Sequence, residues 1–415
     1  MLFLGAFWRW LTNTAALNQL NGDYERMFFE EVYRVVYLTG FSSYDKGIVY
    51  LLYSSTVKLL IALFICSEIW YLYSELSSLD TIVENISVTL INLLSVYRYI
   101  DLIRNKDIFT KLATAMESRY FDVSTQTRKE LVNFWVLRSL SYLRLILYLG
   151  TCTLAAWYVY PLVDDLEYNL CVAVRLPFDY RTPLRYTIVY IVVVVAFNYA
   201  AFFVMLNDII MQSYLMHLLC QFTVLADCFE NIVTDCETEC GGKINRSHLQ
   251  SNKEFTDTYL KRLRNLSEQH KIILNNTMRL RAVLSTPMLG QLGASSVLIC
   301  FAGYQVSTTV SISITKCMMS LFYLCYNMFE LFIFCRWCDE IKTQSENICQ
   351  SIYFSGWELG LVTVPGVKRR LMLIVERAQR PMVLTAGGLY ELSLVSYTAI
   401  VKVSYSALTV LLRLR

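Results

Sequence analysis

The sequence predicts an all-α membrane protein with seven transmembrane helices. Seven apolar stretches are each long enough to cross a bilayer core of about 30 Å, which takes roughly 20 helical residues. Hydrophobic residues make up 55% of the 415-residue chain and charged residues only 17%. The mean hydropathy is +0.42. A typical soluble domain carries about 25% charged residues, so this composition favours a protein that crosses the membrane several times.

The chain begins with a mixed, charged segment that we assign to the cytosol. Its amphipathic pieces at 7–10 (FWRW) and 29–38 (FEEVYRVVYL) are expected to lie on the membrane surface. The predicted spans follow at about 47–73, 79–102, 134–160, 184–216, 286–312, 315–337 and 386–411. No short apolar segment with a small-residue cleavage site precedes the first span, so a cleaved signal peptide is not expected.

The spans and the polar stretches between them divide the chain into six segments. These are 1–46 (N-terminal), 47–217 (spans one to four), 218–285 (polar), 286–337 (spans five and six), 338–384 (basic) and 385–415 (last span). The polar segment 218–285 has helical spacing at 261–274. We therefore expect the fourth, fifth and sixth helices to extend past the membrane on one side.

The Lys and Arg residues predict the orientation. With the N-terminus inside, 27 basic residues fall in the inner segments and six in the outer ones. The six outer residues are Arg175, Arg181, Arg185, Lys316, Arg413 and Arg415. This bias predicts a cytosolic N-terminus and, after seven crossings, an external C-terminus.

The last apolar stretch, Thr385 to Leu412, carries more polar residues than a plain lipid anchor. Wound as a helix, it has one polar sector, made of Glu391, Thr398, Lys402, Ser406 and Thr409. A neighbouring, mostly apolar sector holds Val401, Tyr405, Leu408 and Leu412. Ionisable groups at membrane depth usually face a bundle interior or a water-filled path. The pattern predicts a pore-lining helix, and a packed bundle helix with satisfied polar residues fits it equally well.

The remaining motifs do not indicate a metal site or an enzyme. CRWC (335–338) and CETEC (236–240) have metal-like spacing, but the chain has only three His and no second CxxC pair nearby. We expect no zinc and no other cofactor. No Ser-His-Asp cluster, phosphate loop or paired-carboxylate site is apparent. The net charge of +3 gives no argument for nucleic-acid binding. A disulfide between Cys171 and Cys317, both placed at or near the outer side, stays open.

Four stretches near the C-terminus resemble one known family, the insect odorant receptors. TAGGLYELSLVSYTAIVKVSYSALTVL (385–411) is similar to its C-terminal signature, and 330–346 to the end of its sixth helix. SIYFSGW (351–357) resembles the block that follows, and 368–381 the basic cytosolic helix that ends in Pro. The family's co-receptor carries a large insertion between the fourth and fifth helices. This chain has none, so it resembles a ligand-binding tuning subunit.

The resemblance implies a subunit of a ligand-gated, non-selective cation channel. Four subunits would surround a pore lined by the last helix, with the co-receptor as partner in a hetero-tetramer. The cytosolic helical extensions would form an anchor that holds the subunits together, and Tyr353 and Trp357 are our candidates for that contact. The implied location is the plasma membrane of olfactory sensory neuron dendrites, where the chain meets lipid, cations and a small volatile organic ligand.

The resemblance also places a ligand pocket in the outer half of the membrane, between the second, third, fourth and sixth helices. We select the candidate residues by their depth along each span and by the side of the helix on which they lie. They are Ser87, Leu90, Ile91, Gly150, Thr153, Trp157, Tyr190, Val194, Phe197, Ser320 and Tyr323. The lining is aromatic and aliphatic with a few hydroxyls, as small volatile ligands require. Any single one of these residues also fits ordinary bundle core.

In the last helix, similarity to the family places Leu408 at the pore constriction. Leu412 would lie one turn outward, and Val401 and Tyr405 further in on the same sector. A ring of apolar side chains can close a pore by dewetting. Lys402 is expected to face a neighbouring subunit or to snorkel, because its positive charge would have an electrostatic cost in a path that conducts cations.

Three other functions compete with this interpretation. They are a seven-helix chemosensory receptor that signals through a cytosolic partner, a gustatory-type channel and a transporter. No AspArgTyr follows the third span and no AsnProXxxXxxTyr lies in the seventh, and the predicted topology is inverted relative to G-protein-coupled receptors. The last helix also lacks the ThrTyr…GlnPhe pattern of the gustatory relatives. A transporter would be expected to show inverted repeats or broken helices, and neither is clear.

Overall fold

A computed structural model describes residues 12–14, 17, 20, 22–74, 79–163, 168–241, 249, 252–310 and 313–413. Eleven α-helices of four residues or more lie in this part of the chain. They are α1 (Asp23–Leu38), α2 (Ile48–Ser74), α3 (Leu79–Arg104), α4 (Lys106–Ala113), α5 (Gln126–Val163), α6 (Pro183–Glu230), α7 (Ile232–Glu239), α8 (Lys253–Thr309), α9 (Ile314–Tyr353), α10 (Val367–Ala378) and α11 (Leu394–Arg413). The only sheet among these residues is a hairpin, β1 (Thr385–Ala386) with β2 (Tyr390–Glu391).

Seven of these helices are long and apolar enough to cross a membrane, which confirms the predicted fold class. They are α2, α3, α5, α6, α8, α9 and α11. Helices α6, α8 and α9 have 48, 57 and 40 residues. About 20 helical residues cross a bilayer core, so each of these helices continues well past it. The segment boundaries near 217 and 285 therefore fall inside continuous helices. Helix α5, with 38 residues, is also longer than its predicted span.

The helical parts beyond the membrane-spanning lengths pack into one body, which we call the extension. It comprises residues 217–230 of α6, α7, residues 253–285 of α8, residues 338–353 of α9, and α10. Apolar side chains recur every three or four residues along α8, including the buried Phe255, Tyr259 and Leu263, and this stripe faces α6 and α7. Burial of the stripe accounts for ordered helices in a segment whose composition is mostly polar.

Helix α1 packs on α6 rather than presenting its apolar face to a membrane. Phe28 and Phe29 are buried, and their rings lie 5.1 Å and 5.4 Å from the imidazole of His217. The amphipathic pattern at 29–38 therefore reflects a contact within the protein. The other surface-helix candidate, 7–10, lies outside the described residues.

An ion-pair cluster joins the start of α5 to α6, α7 and α8 of the extension. Arg128 at the start of α5 lies 3.0 Å from Asp122, 2.7 Å from Asp227 and 2.5 Å from Asp235. Arg262 of α8 lies 2.5 Å from the same Asp122 and 2.6 Å from the same Asp235. Burial raises the pKa of Asp122, but hydrogen bonds from Ser124 and the two guanidinium charges outweigh it and lower that pKa overall. The carboxylate therefore stays charged and the cluster stays paired at neutral pH.

The start of the last predicted span is wrong, because a hairpin precedes the helix. Gly387 and Gly388 have φ angles of +60° and +72°, which favour glycine and form a tight turn between β1 and β2. Helix α11 begins only at Leu394, and its 20 residues match one crossing. Glu391 is therefore not part of a helical polar sector. Its carboxylate lies 2.8 Å from the amine of Lys342 on α9.

Candidate ligand cavity

A cavity of about 70 Å³ lies between α3, α5, α6 and α9. Its lining is mostly apolar and aromatic. The lining residues are Val88, Ile91, Asn92, Gly150, Thr153, Leu154, Trp157, Phe197, Ala201, Val204, Met205, Tyr323, Tyr326 and Asn327. Each helix contributes residues spaced three or four apart, so one stripe of each helix faces the same space.

Three aromatic rings form one wall of the cavity. The ring centroids of Trp157 and Phe197 lie 5.2 Å apart, and those of Trp157 and Tyr323 lie 6.0 Å apart with the planes at 76°. Edge-to-face and tilted pairs at these distances are attractive, so the rings hold one another in place. A small apolar ligand would meet a preformed aromatic surface.

A few polar groups line the cavity, and most are already used by the protein. Asn92 donates to Glu68 at 3.0 Å, and Asn327 donates to the Tyr323 carbonyl at 2.8 Å. Thr153 donates to the carbonyl of Leu149 at 2.9 Å. In the part of the chain that the structure describes, the hydroxyl of Tyr323 forms no well-aligned hydrogen bond, and the Asn327 side chain lies beside it. This hydroxyl is therefore available to a ligand oxygen or nitrogen.

The size of the cavity depends on a close contact between Gly150 and Met205. A Cβ atom added to Gly150 would lie 2.0 Å from the sulfur of Met205, so only glycine lets this side chain lie across α5. Methionine is unbranched and adapts to irregular space. Rotation of Met205 would therefore change the cavity volume with little movement of the helices.

A buried polar cluster lies next to the cavity and joins four helices. Arg98 of α3 lies 2.7 Å from Asp208 of α6 and donates to Gln291 of α8 at 3.0 Å. Gln291 donates in turn to Glu330 of α9 at 2.7 Å. Tyr326, which lines the cavity, donates to Asp208 at 3.4 Å. Side chains that line the cavity and side chains of α8 are thus parts of one hydrogen-bonded network.

Comparison with known proteins decides the family. Residues 78–405 match the family described as 7tm Odorant receptor. The chain belongs to the insect odorant receptor family. Odorant receptor 13a of Drosophila melanogaster is 24% identical over 365 residues, which cover 82% of each chain. Odorant receptor 2a of the same species is 27% identical over 179 residues, 43% of each chain.

A solved structure of the family shares the fold. The insect olfactory receptor OR5 of Machilis hrabei, in complex with eugenol, matches with a TM-score of 0.79 and 19% identity. The match covers 95% of this receptor and 100% of that chain. The family resemblance and the seven-helix fold predicted from the sequence are both confirmed.

The structure brings together six of the eleven predicted pocket residues. They are Ile91, Gly150, Thr153, Trp157, Phe197 and Tyr323. The other five do not line this cavity. They are Ser87 and Leu90 on α3, Tyr190 and Val194 on α6, and Ser320 on α9. Ser87 and Ser320 donate instead to carbonyls of their own helices, and Tyr190 donates to the carbonyl of Tyr158 at 2.9 Å.

These differences come from helix rotation and depth. On α3 the residues that face the cavity are Val88, Ile91 and Asn92. This is the predicted set shifted along the helix by one residue. On α6 and α9 the lining continues inward from Phe197 and Tyr323. The residues that the sequence interpretation missed are Val88, Asn92, Leu154, Ala201, Val204, Met205, Tyr326 and Asn327. Continuing each helical stripe by one or two turns toward the membrane centre would have found most of them.

Helix α11 packs on α8 and α9 but buries little of its own surface. Among its described residues only Ser404 is buried, and its hydroxyl donates to the carbonyl of Ser296 on α8 at 3.0 Å. Leu408, one turn on, is half-buried beside Gly303, where an added Cβ would lie 3.0 Å from its Cδ2. Tyr405 and Leu412 are exposed, Val401 is half-buried, and Lys402 is exposed. One stripe therefore faces α8 and α9, and most of the surface of α11 is uncovered.

The two candidate assembly residues lie at the edge of a groove in the extension. Tyr353 is exposed, Trp357 is half-buried, and the Trp357 indole donates to the Tyr353 carbonyl at 3.1 Å. Together with Lys368 and Met372 of α10 they border a cavity of about 490 Å³. This part of the extension offers an apolar surface that a second chain could cover.

The connection between α5 and α6 folds over one end of the bundle. Leu170, Cys171, Val172 and Val174 are buried there, and the Tyr186 hydroxyl donates to the carbonyl of Asn169 at 2.5 Å. Cys171 and Cys317 are both free thiols. Apolar packing holds this connection in place without a disulfide between them.

Proposed function

We propose that this receptor is the odorant-binding subunit of a ligand-gated, non-selective cation channel. It assembles with the co-receptor of its family as a hetero-tetramer in the plasma membrane of olfactory sensory neuron dendrites. The observation that carries the proposal is the aromatic cavity between α3, α5, α6 and α9, with the free hydroxyl of Tyr323 in its wall. Largely apolar pockets with a few polar groups are typical of small-molecule sites.

The ligand is a small volatile organic molecule. A cavity that accepts benzene has a volume of roughly 150 Å³, about twice the 70 Å³ found here. Binding of a ring-sized molecule therefore needs Met205 to move out of the cavity. The related OR5 was solved in complex with eugenol, which supports a small organic ligand for this receptor as well.

Ligand binding opens the pore by favouring one arrangement of the helices. A ligand shifts a conformational equilibrium only by binding one state better than the other. Tyr326 connects the cavity to Asp208, and Arg98 and Gln291 continue the network to α8. Helix α11 is hydrogen-bonded to α8, because the Ser404 hydroxyl donates to the carbonyl of Ser296. A change at the cavity is thereby coupled to the position of the last helix.

The pore is lined by α11 of four subunits, with Leu408 at the constriction and Leu412 outward of it. Val401 and Tyr405 lie further in. The largely uncovered surface of α11 supports this proposal, since a helix that buries so little of its surface in its own chain has surface left for other subunits. Leu408 faces α8 in the single chain, so opening would include a rotation or displacement of α11 away from Gly303.

The extension joins the subunits on the cytosolic side. Tyr353 and Trp357 contact the co-receptor through the groove beside α10. The cytosolic placement rests on the distribution of Lys and Arg, which are concentrated in the extension and the connections on the same side.

Recording of membrane current in cells that lack G-protein signalling tests the proposal. A panel of volatile ligands is applied to cells expressing the receptor with the co-receptor, the co-receptor alone, or the receptor alone. We expect at least one ligand to evoke a cation current only when both chains are present. A response that requires a G protein, or that appears without the co-receptor, would contradict the proposal and favour signalling through a cytosolic partner.

A further inference from the structure

A further, polar cavity of about 330 Å³ lies between α5, α6 and α9, close to the extension. Its lining residues are Leu131, Phe134, Trp135, Arg138, Thr223, Arg336, Trp337, Glu340 and Gln344. Arg138 is twelve residues from Gly150 along α5, so about 18 Å of helix separates it from the ligand cavity. We call this cavity the arginine groove.

The two arginines of the groove have no acidic partner. Within the described ranges, neither Arg138 nor Arg336 forms an ion pair, and Glu340 instead accepts a hydrogen bond from Gln344 at 2.9 Å. Both guanidinium groups lie over Trp337, at 5.2 Å and 5.7 Å from its ring. Cation–π contacts orient a guanidinium group without using its N–H donors. The groove therefore presents two oriented cations that still have donors to offer.

The groove also holds buried donors that lack an acceptor. The Trp337 side chain is only 1% exposed, and its indole N–H has no hydrogen-bond partner among the described residues. The Nε of Arg336 is likewise buried and unpartnered. By contrast, the indole of Trp135 donates to Thr223 at 3.1 Å. Buried polar groups in folded proteins are nearly always paired, so these donors indicate an acceptor that the described chain does not supply.

The groove lies where the helices pass from lipid into the extension. The predicted sixth span ends at about residue 337, and the third begins at about 134. Beside Arg138, the side chains of Phe134 and Leu137 are 50% and 65% exposed, as expected for a surface facing lipid. The side on which the groove lies is the predicted cytosolic side, and the cytosolic leaflet is the one rich in anionic lipids.

We propose that the arginine groove binds the phosphate-bearing headgroup of an anionic phospholipid of the cytosolic leaflet. Guanidinium groups bind phosphate oxygens through paired N–H donors, which suits Arg138 and Arg336. The Trp337 indole supplies a further donor, and Phe134 and Leu137 contact the acyl chains. The lipid bridges α5 and α9, which both carry walls of the ligand cavity.

The test measures thermal unfolding of the purified full-length receptor with its co-receptor in neutral detergent. Three probes are added separately: dioctanoyl phosphatidic acid, dioctanoyl phosphatidylcholine and inorganic phosphate. We expect phosphatidic acid to raise Tm at concentrations at least about tenfold below those needed with phosphatidylcholine, because charge-assisted bonds are stronger. Inorganic phosphate should have little effect, since it has no acyl chains. Equal shifts with both lipids, or with inorganic phosphate and phosphatidic acid, would overturn the proposal.

Matched variants assign any effect to the groove. Arg138→Gln/Arg336→Gln should weaken the apparent affinity for phosphatidic acid by about tenfold or more. Lys261→Gln/Arg264→Gln removes the same charge from exposed positions of the extension and should respond as the wild type does. If the first double variant does not fold, Arg336→Lys replaces it, because it keeps the charge and loses the planar fork. Wild-type affinity in the folded groove variant would contradict the proposal.

Discussion

At the scale of single residues, the cavity depends on side chains that the sequence could select only by the side of the helix on which they lie. Trp157, Phe197 and Tyr323 lie on predictable helical stripes and meet in the structure. The contact of Met205 with Gly150 was not predictable, because it depends on which side chains of two helices meet at one depth. The pairing of Arg98 with Asp208 was missed for the same reason, since residues from different spans have no sequence spacing.

Removal of one aromatic ring should weaken the response to odorant. Trp157→Ala or Tyr323→Ala is expected to shift the dose–response curve by about tenfold or more, since a lost aromatic contact costs roughly 1.4 kcal/mol or above. Tyr323→Phe removes only the free hydroxyl and should affect ligands with an oxygen or nitrogen more than hydrocarbons. Trp70→Ala, at an exposed position of α2, is the control. Unchanged curves in both alanine variants at normal surface expression would exclude these residues from the site.

Loss of one charge from the buried cluster should destabilise the receptor strongly. Asp208→Asn leaves Arg98 buried without its closest countercharge, and breaking such a pair costs about 3–5 kcal/mol. Asp257→Asn, at an exposed position of α8, should have little effect. Surface expression and the thermal unfolding midpoint of the two purified variants measure the difference. Equal midpoints would show that Glu330 and Gln291 are sufficient partners for Arg98.

At the scale of elements, the seven spans were predictable from hydropathy, while the ends of the helices were not. Hydropathy does not register the buried stripe that continues α8 far beyond the membrane, because that stripe alternates with charged residues. It also does not distinguish an apolar hairpin from a helix. The predicted last span therefore included β1 and β2, although the adjacent Gly387 and Gly388 are a turn signal.

A polar residue at position 408 should open the channel without ligand. Leu408→Ser wets a dry constriction if α11 lines the pore, so basal current should rise when the co-receptor carries the matching substitution. The control is Val403→Ser, at an exposed position of the same helix and away from the apolar sector. Unchanged leak and unchanged ion selectivity in the Leu408→Ser complex would remove Leu408 from the pore.

At the scale of the whole molecule, the ligand cavity and the arginine groove lie at different depths of one bundle. Helices α5, α6 and α9 contribute to both, so they connect the ligand cavity with the arginine groove. The family and the seven-helix fold could be predicted from the C-terminal motifs and the span pattern. Neither cavity could be placed in full from the sequence, because each is formed where three or four helices meet.

The orientation of the chain has a direct test. The bias of Lys and Arg predicts that a tag before Met1 is protected in intact cells and that a tag after Arg415 is reached by antibody. Both tags should be labelled after permeabilisation, which controls for expression. Labelling of the N-terminal tag in intact cells would reverse the orientation and move the arginine groove to the outer leaflet.

The central claim is that a ligand in the cavity between α3, α5, α6 and α9 opens the channel. Val204→Phe fills this cavity from α6, whereas Val192→Phe makes the same change at a position of α6 that is 52% exposed. The decisive measurement is the odorant-evoked current of each variant with the co-receptor, at matched surface expression. Our account predicts that the current is lost or shifted by at least about tenfold in Val204→Phe and unchanged in Val192→Phe. An unchanged odorant response in Val204→Phe would contradict it.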